Sequence, residues 1–368
     1  MSRILPTSSE GRTKTMNSYN IAVIPGDGIG KEVIPQGLRV LERACQRHDV
    51  SLSWTEFNWS CEHYHETGEM MPKDGLDQLK EFDAIYLGAV GYPGVPDHVS
   101  LWGLLLPIRR AFDQYVNLRP VRLFEGVRCP LAGLAPGDID YLVVRENVEG
   151  EYSQIGGTQF EGTAEEVVLQ QSVFTRKGTD RIMKFAFDQA QKRPAKHLAS
   201  ATKSNGIFHS MPYWDQRFEA MGANYPEVCR SQFHIDALVA KQVLSPQSFD
   251  VIVGSNLFGD IVSDLGPATT GTIAIAPSAN INPERTYPSM FEPVHGSAPD
   301  IAGQGISNPI GAIWSGAMMM EHLGESEVSA SIMSAMEETM RDAKHLTPDM
   351  GGHADTETLG QSIADLIG

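Results

Sequence analysis

Short apolar runs of the strand type alternate with amphipathic runs of the helix type from Tyr19 onward, and this alternation restricts the possible fold more than any other feature. The first units are YNIAVIP, a helix from Lys31 to about Arg47, SLSWTEF, a helix near Leu76 to Phe82, and DAIYLGAV. Strands that alternate with helices of this length are typical of α/β proteins, in which helices cover a largely parallel sheet. The sequence therefore predicts an α/β fold.

The middle of the chain differs from its two ends. The runs LRPVRLF, DYLVVREN and EEVVLQQSVF are rich in β-forming residues, and EGEYSQIGGTQFEGT has the composition of an exposed hairpin arm. After Gly271 the chain returns to strands, followed by helices that we expect to start near Pro309, Ser326 and Thr356. A chain of 368 residues is long enough for two domains. We expect a small domain with the hairpin arm and a dimer interface at residues 115–271, and a large domain formed by both chain ends, residues 17–114 and 272–368.

Charge and cysteine content exclude several classes of partner. The net charge of -17 disfavours nucleic acid and anionic membrane surfaces, which require clustered Lys and Arg. The four cysteines contain no CxxC pair, as expected for reduced thiols in the cytoplasm. No apolar run approaches the roughly 20 residues of a membrane span. We expect a cytoplasmic protein that binds no nucleic acid and no membrane, and we interpret the polar residues 1–16 as a disordered leader.

Two aspartates in the segment GSNLFGDIVSDLGP, Asp260 and Asp264, lie four residues apart. If a helix begins after Gly259, both carboxylates share one helix face. The preceding run SFDVIVGSNLFG reads as a buried strand, and α/β sheets bind ligands at the carboxyl ends of strands. Because Mg²⁺ and Mn²⁺ prefer oxygen ligands, the pair is half of a divalent metal site. The alternative is a first helical turn that carries acids because the helix dipole favours them there.

Three arginines stand on predicted elements with apolar flanks. Arg109 lies on a helix, Arg119 on the next strand, and Arg145 near the end of the strand DYLVVREN. Guanidinium groups that converge on one cavity would hold the carboxylates of a small dicarboxylic acid. Any one of them, taken alone, is better explained by a surface ion pair, but the apolar flanks on all three weaken that alternative.

Two further side chains are candidates for proton transfer. Lys203 follows a predicted strand beside Asn205, and burial or a nearby metal would lower its pKa enough for it to accept a proton. Tyr152 in GEYSQIGG is a candidate general acid. The alternatives are a solvated lysine and a packing tyrosine with a wet hydroxyl.

The run MFEPVHGSAPDIAGQGISNP is a long loop rich in Gly, Pro, Ser and Asn that follows a strand. Its backbone N–H groups would wrap a nucleotide, while Asp300 would accept hydrogen bonds from a ribose and repel a 2′-phosphate. A plain connecting loop is the alternative. The glycine turn GDGIG after the first strand lacks the third glycine of GxGxxG, so a Rossmann fold is poorly supported.

Five motifs together resemble the β-decarboxylating dehydrogenases, the family of isopropylmalate and isocitrate dehydrogenases: IPGDGIG, LLLPIRRAFDQYVNLRP, RENVEGEY, SNLFGDIVSDL and EPVHGSAPDIAGQGISNP. The resemblance extends from Asn20 to the C-terminus. It implies an isopropylmalate dehydrogenase-like two-domain fold with a mixed sheet, not a Rossmann fold. It also implies a homodimer or a dimer of dimers with shared active sites, and NAD, Mn²⁺ or Mg²⁺ and K⁺ as candidate cofactors.

The resemblance implies roles for individual residues. The substrate-clamping arginines are Arg109, Arg119 and Arg145. The catalytic residues are Tyr152, which handles a proton at the carbon that loses CO₂, and two residues supplied by the partner subunit, Lys203 and Asp236. The metal ligands are Asp236, Asp260 and Asp264. The cofactor-binding residues are Asn205, Glu292, His295, Gly296, Ser297, Ala298, Asp300, Ile301 and Asn308. In NADP-dependent isocitrate dehydrogenases Lys and Tyr occupy the positions of Asp300 and Ile301, so the acid implies NAD.

Departures from the family pattern indicate the substrate. Isopropylmalate enzymes carry a glutamate where this chain has Trp102, and isocitrate enzymes carry a serine where it has Gly103. The run GYPGVPDHVSLWGLL instead resembles the tartrate and D-malate branch. We expect Trp102, Leu105 and Leu106 to close the pocket over a C4 diacid. The resemblance thus implies metal-dependent, NAD-linked oxidation of D-malate or tartrate with β-decarboxylation; the alternatives are a 3-isopropylmalate dehydrogenase and a non-catalytic regulatory subunit.

Overall fold

The computed structural model describes residues 16–368. The strands of this part of the chain are β1 (Ser18–Gly26), β2 (Ser51–Glu56), β3 (Ala84–Ala89), β4 (Val116–Arg122), β5 (Asp140–Glu146), β6 (Gly156–Gln159), β7 (Val167–Gln170), β8 (His197–Thr202), β9 (Cys229–His234), β10 (Val251–Gly254), β11 (Pro277–Ile281) and β12 (Ser289–Pro293). Its helices are α1 (Gly30–Arg47), α2 (Cys61–Thr67), α3 (Gly75–Leu79), α4 (Asp97–Ser100), α5 (Leu106–Ala111), α6 (Arg176–Lys192), α7 (Ser210–Gly222), α8 (Ile235–Leu244), α9 (Asn256–Thr270), α10 (Ile310–Leu323), α11 (Ser326–Asp342) and α12 (Thr356–Ile367). A π-helical turn, Leu101–Leu105, joins α4 to α5.

Ten strands form one sheet in the order β2-β1-β3-β12-β11-β4-β5-β10-β8-β9. Strand β11 runs antiparallel to both neighbours and β4 runs antiparallel to β5, whereas the outer pairs are parallel. The predicted α/β fold with a mixed sheet is therefore confirmed. A sheet with antiparallel strands at its centre also differs from the mostly parallel sheet of a Rossmann fold.

The proposed domain boundaries divide the sheet into two contiguous halves. Residues 17–114 and 272–368 supply β2, β1, β3, β12 and β11, and residues 115–271 supply β4, β5, β10, β8 and β9. The halves meet where β11 pairs with β4, for instance at Ala279 and Leu118. The division into two domains remains a prediction, and it leaves both chain ends on one side of that line.

Helices cover the central strands on both faces. Every residue of β3 and β11 is buried, as expected for strands with helices above and below. In α11, apolar residues that recur every four positions form a buried stripe: Val328, Ile332, Met336 and Met340. Strands β6 and β7 pair only with each other, and all of their residues are exposed, so an exposed hairpin is present; its second strand lies in EEVVLQQSVF and not in the predicted segment EGEYSQIGGTQFEGT.

Two helices begin elsewhere than the sequence predicts. Helix α9 starts at Asn256 and not after Gly259, because the Ser255 hydroxyl caps it by accepting a hydrogen bond from the Phe258 N–H at 3.4 Å. The glycine has a packing role instead, since a Cβ at Gly259 would lie 2.6 Å from the Cβ of Arg145 on β5. The helix predicted near residues 76–82 is α3, which starts at Gly75 and ends at Leu79.

Two expectations concern features outside the fold itself. The predicted leader lies outside the described residues except for Met16. No helix in residues 16–368 combines the length and apolarity needed to cross a membrane.

Candidate active site

A cavity of about 450 Å³ collects most of the predicted substrate-binding residues. Its walls come from the helix that contains the π turn, from β4 and β5, and from the start of α9. The lining residues are His98, Leu101, Trp102, Leu106, Arg109, Arg119, Arg145, Asn147, Tyr152, Asn256 and Asp260. All three predicted clamp arginines therefore meet in one cavity.

Arg109 and Arg119 are largely buried and each contacts a carboxylate. The Nη2 atom of Arg109 donates to Glu292 Oε1 at 2.7 Å, and the Nη1 atom of Arg119 donates to Asp264 Oδ1 at 2.8 Å. Among the described residues, the buried Nε atoms of both arginines have no hydrogen-bond partner. Unpaired buried donors are costly, so these N–H groups are available to the carboxylates of a bound diacid.

Arg145 is the most buried of the three, with 4% of its surface exposed. Its guanidinium contacts Asp260, and its Nε and Nη2 atoms donate to Asn256 Oδ1 at 3.1 and 2.8 Å. Burial lowers the pKa of Arg145 to about 10, and the Asp260 carboxylate opposes this shift. The guanidinium is thus held as a cation at neutral pH in a fixed orientation.

The aspartate pair lies on one face of α9 beside the arginines. Asp260 and Asp264 follow the first turn of the helix, which carries no acid, so the helix dipole does not account for them. The hydroxyl of Tyr152 donates to Asp260 Oδ2 at 3.1 Å, and burial raises the pKa of that hydroxyl. Burial also raises the pKa of Asp264, against the lowering effect of Arg119.

The two carboxylates fit part of a divalent metal site. Both are hard oxygen ligands that share one helix face, and both retain solvent-accessible surface. Within residues 16–368, no group of three or more His, Cys, Asp or Glu side chains is arranged to hold a metal ion. Of the three predicted metal ligands, the structure brings Asp260 and Asp264 together on one helix face.

Lys203 and Asp236 lie apart from the cavity. Lys203 follows β8 and Asp236 begins α8 after β9, and their Nζ and Oδ1 atoms are 2.7 Å apart. Their side chains are 30% and 70% exposed, and neither lines the cavity. The hydrogen bond from Lys203 lowers the pKa of Asp236. Asn205, two residues further on, is exposed.

The substrate-size positions lie in the π-helical turn. Trp102 lines the cavity, as predicted, but Leu105 does not: it packs in the hydrophobic core with Leu104 and Ile108, whereas Leu106 lines the cavity. The prediction for Leu105 is wrong because the π turn changes which residues face the cavity. A Cβ at Gly103 would lie 2.6 Å from the Cγ of buried Met70, so a serine there requires that side chain to move.

The predicted nucleotide loop packs on the glycine turn that follows β1. The Ile29 N–H donates to the Ser297 carbonyl at 2.9 Å. Gly28 has a φ of +53°, and a Cβ there would lie 2.0 Å from the same carbonyl oxygen. The glycine turn thus allows close contact with the loop. This packing explains why the turn is rich in glycine although its spacing does not match the dinucleotide fingerprint.

The loop contains a buried acceptor with no partner. His295 Nδ1 donates to the Gly296 carbonyl at 3.0 Å, and burial lowers the pKa of His295, so its imidazole is neutral and its Nε2 atom is an acceptor. Among the described residues, this buried Nε2 has no hydrogen-bond partner. A donor on a bound nucleotide would satisfy it. Asp300 is exposed at the loop surface, next to the partly buried Ile301.

The other predicted cofactor residues differ in how accessible they are. Gly296 is exposed, Ser297 is buried and Ala298 has a φ of +40°. Asn308 is buried, and its Nδ2 atom donates to Asp349 at 3.0 Å. Glu292 is also buried and accepts from Arg109, so it connects the arginine cluster to the loop.

Four other cavity residues were not predicted from the sequence: His98, Leu101, Asn147 and Asn256. Asn256 orients Arg145, and the signal for it is its position just after Ser255, a helix-capping residue at the end of a strand. No comparable signal marks His98 or Leu101.

Several known proteins are similar to this chain in sequence or in fold. A family described as isocitrate/isopropylmalate dehydrogenase matches residues 20–365. The chain is 60% identical to D-malate dehydrogenase [decarboxylating] of Escherichia coli (strain K12) over 359 residues, which covers 96% of this chain and 99% of that protein. It is 58% identical to tartrate dehydrogenase/decarboxylase of Pseudomonas putida, covering 95% and 98%. The crystal structure of isocitrate dehydrogenase from Methylococcus capsulatus superposes with a TM-score of 0.86 at 31% identity, over 95% of this chain and 99% of that one. The similarity in sequence and in fold thus extends over nearly the whole chain.

Proposed function

The chain belongs to the isocitrate/isopropylmalate dehydrogenase family, and from this premise we propose that it oxidises and decarboxylates a C4 2-hydroxy dicarboxylic acid. The substrate is D-malate, converted to pyruvate and CO₂, or tartrate, as the names of the two curated relatives support. The reaction is metal-dependent and NAD-linked. The observation that carries the proposal is the convergence of three largely buried arginines and an aspartate on one cavity, with Trp102 in its wall.

The arginines bind and orient the diacid. The unpaired Nε–H groups of Arg109 and Arg119 donate hydrogen bonds to its carboxylates, and Arg145 adds a fixed positive charge. Trp102 occupies space that a larger γ-substituent would need, which favours a C4 acid over 3-isopropylmalate. Enclosure among apolar side chains strengthens these interactions, because the effective dielectric constant there is lower than in water.

The metal ligands are Asp260 and Asp264 from one subunit and Asp236 from a second copy. A Mn²⁺ or Mg²⁺ ion, when bound there, supplies a Lewis acid that stabilises negative charge on the substrate oxygen. Exhaustive chelation is expected to abolish turnover, and Mn²⁺ or Mg²⁺ to restore it. Assays with and without K⁺ test whether a monovalent cation contributes.

Two side chains of this protein move protons. Lys203 of one subunit accepts the proton of the substrate hydroxyl in the other subunit's site. Tyr152 donates a proton to the carbon that has lost CO₂, and its raised pKa keeps that proton on the phenol at neutral pH. Replacing Tyr152 by Phe is expected to slow decarboxylation more than oxidation; equal loss of both would contradict this role.

The loop at residues 295–301 binds NAD, together with Asn205, Glu292 and Asn308. Asp300 is exposed where it would accept a ribose hydroxyl and repel a 2′-phosphate. The double substitution Asp300→Lys with Ile301→Tyr is expected to raise kcat/KM for NADP relative to NAD. Glu81→Lys, at an exposed site on the same half of the sheet, is the matched control for added charge. An unchanged cofactor preference would contradict the assignment.

We propose a homodimer, or a dimer of dimers, in the reducing cytoplasm. The surface near Lys203 and Asp236 exposes large apolar side chains, including Phe208 and Leu244 at 82% each. Exposed apolar surface of this kind marks interfaces between chains. The four cysteines are free thiols, which supports a reducing compartment. Analytical ultracentrifugation is expected to give a dimer or tetramer, and a stable monomer would contradict the shared site.

A substrate panel tests the function directly. Initial rates with NAD⁺ and Mn²⁺ or Mg²⁺ are measured for D-malate, tartrate, 3-isopropylmalate and isocitrate, with CO₂ release followed in parallel. We expect the highest kcat/KM with D-malate or tartrate. A preference for 3-isopropylmalate would contradict the substrate assignment, and no turnover of any acid would favour a regulatory subunit.

A further inference from the structure

Arg110 follows Arg109 in sequence but makes different contacts. Within residues 16–368, no carboxylate lies within ion-pair distance of Arg110, although the chain has 46 acidic and 29 basic residues. Its Cζ atom lies 4.5 Å from the centroid of the Trp102 ring, and its Nη2 atom donates to the backbone carbonyl of Tyr152 at 2.7 Å. Both contacts are therefore with residues that line the candidate active site.

The π-helical turn brings Arg110 and Trp102 to the same side of the helix. In an uninterrupted α-helix, residues eight positions apart differ by about 80° around the axis, at roughly 100° per residue. A π turn accommodates one extra residue and reduces this difference to about 20°. The arginine side chain leans toward the N-terminus of its helix, as helical side chains do, and so covers the indole.

The contact with Tyr152 joins the two halves of the sheet. Arg110 belongs to α5, before the proposed boundary at residue 114, whereas Tyr152 lies beyond it at the base of the exposed hairpin arm. A charge-assisted hydrogen bond to a main-chain carbonyl fixes the backbone that carries the phenol. The phenol in turn donates to Asp260.

We infer that Arg110 is a positioning residue that couples the size-selecting wall of the pocket to the proton donor for decarboxylation. The face of the planar guanidinium stacks on the Trp102 ring, and its edge donates a hydrogen bond to the main-chain carbonyl of Tyr152. Trp102 and Tyr152 therefore move as one unit. A substrate too large for the Trp102 wall displaces the indole and, through Arg110, the tyrosine. The inference rests on the proposed function of this site.

The test is the fate of the keto acid formed from D-malate. Oxidation yields oxaloacetate and NADH, and decarboxylation of the retained oxaloacetate then yields pyruvate and CO₂ after a proton is delivered to carbon. We expect Arg110→Met to raise the ratio of released oxaloacetate to pyruvate by about tenfold, because small misplacements of catalytic groups have large effects on rate. The same variant is expected to lose discrimination against 3-isopropylmalate. Tyr152→Phe should raise the ratio likewise.

Two further variants serve as controls. Arg110→Lys keeps the charge but lacks the planar fork, so an intermediate ratio is expected. Arg176→Met removes an exposed arginine of α6 and should leave the ratio unchanged. The ratio does not depend on the fraction of folded enzyme, and should Arg110→Met fail to fold, Arg110→Lys provides the same measurement.

The outcomes separate this inference from the proposed function. If the unmodified protein oxidises neither D-malate nor tartrate, the proposed function fails; if it oxidises tartrate alone, the same ratio is measured for the keto acid formed from tartrate. If the protein oxidises either acid, and the ratio and the discrimination in the Arg110 variants equal those of the unmodified protein, the inference on Arg110 is overturned while the function stands.

Discussion

The arginine cluster and the Lys203–Asp236 pair are two parts of one proposed site, and they differ in how complete they are. Arg109, Arg119 and Arg145 are buried or nearly so, and each contacts a carboxylate of its own chain. Lys203 and Asp236 contact each other at an exposed position outside the cavity. The described residues of one chain thus line the candidate substrate pocket, whereas we propose that Lys203 and Asp236, at the edge of the sheet, become part of a site only with a second chain.

This contrast leads to different energetic expectations for the two regions. Removing one member of a buried ion pair leaves an uncompensated charge and costs about 3–5 kcal/mol. An exposed pair contributes about 0–1 kcal/mol to stability. Substitutions in the arginine cluster should therefore affect stability and activity together, and substitutions in the exposed pair should affect activity alone.

The largest effect is expected from Arg145→Lys. An ammonium cannot reproduce the two hydrogen bonds to Asn256 together with the contact to Asp260, so we expect kcat/KM for D-malate to fall about a hundredfold or more and the melting temperature to drop. Steady-state kinetics and thermal unfolding measure both. Arg176→Lys, on the exposed face of α6, is the control. Unchanged kinetics in Arg145→Lys would contradict the proposed clamp.

A smaller effect, on activity alone, is expected from Lys203→Met. We expect kcat to fall about a hundredfold because a proton acceptor is removed, while the free energy of unfolding changes by about 0.5 kcal/mol or less. Chemical denaturation at fixed protein concentration measures the stability. If Lys203→Met keeps its activity, or if it is strongly destabilised, the proposed difference between the buried arginine cluster and the exposed pair is contradicted.

The smallest effect concerns the pH dependence of stability on the buried side. Burial raises the pKa of Glu146, next to Arg145, from the ordinary 4.5 to about 8. The folded state therefore holds this proton more tightly than the unfolded state. The resulting stabilisation is complete below pH 4.5 and is lost as the pH rises through 8.

Glu146→Gln mimics the protonated side chain and should remove this loss. The difference in melting temperature, variant minus unmodified protein, is expected to increase by several degrees from pH 5 to pH 9. Calorimetry across that range measures the difference. Parallel pH profiles for the two proteins would show that Glu146 does not titrate in this way.

The elements of the fold and the candidate site residues could be found from sequence because local patterns place them. Apolar flanks fix Arg109 on a helix and Arg119 and Arg145 on strands, and the four-residue spacing of Asp260 and Asp264 places both on one face of α9. Such signals depend on neighbours in the chain, which a sequence displays directly.

The remaining features depend on contacts between distant segments. Gly259 was expected to precede α9, but it lies inside the helix, which Ser255 caps, and the residue is a glycine because Arg145 packs against it. Leu105 was expected to line the pocket, but the π turn directs Leu106 there instead. Arg110 was not singled out because its partner, the carbonyl of Tyr152, lies 42 residues away.

Subunit complementation tests most directly whether two chains form each site. Arg145→Met and Lys203→Met variants, each inactive alone, are unfolded together and refolded as a mixture. If one chain supplies the arginines and its partner supplies the lysine, half of the dimers are mixed and each contains one intact site, so about one quarter of the unmodified activity returns. If both groups act within the same chain, every site contains one defect and no activity returns.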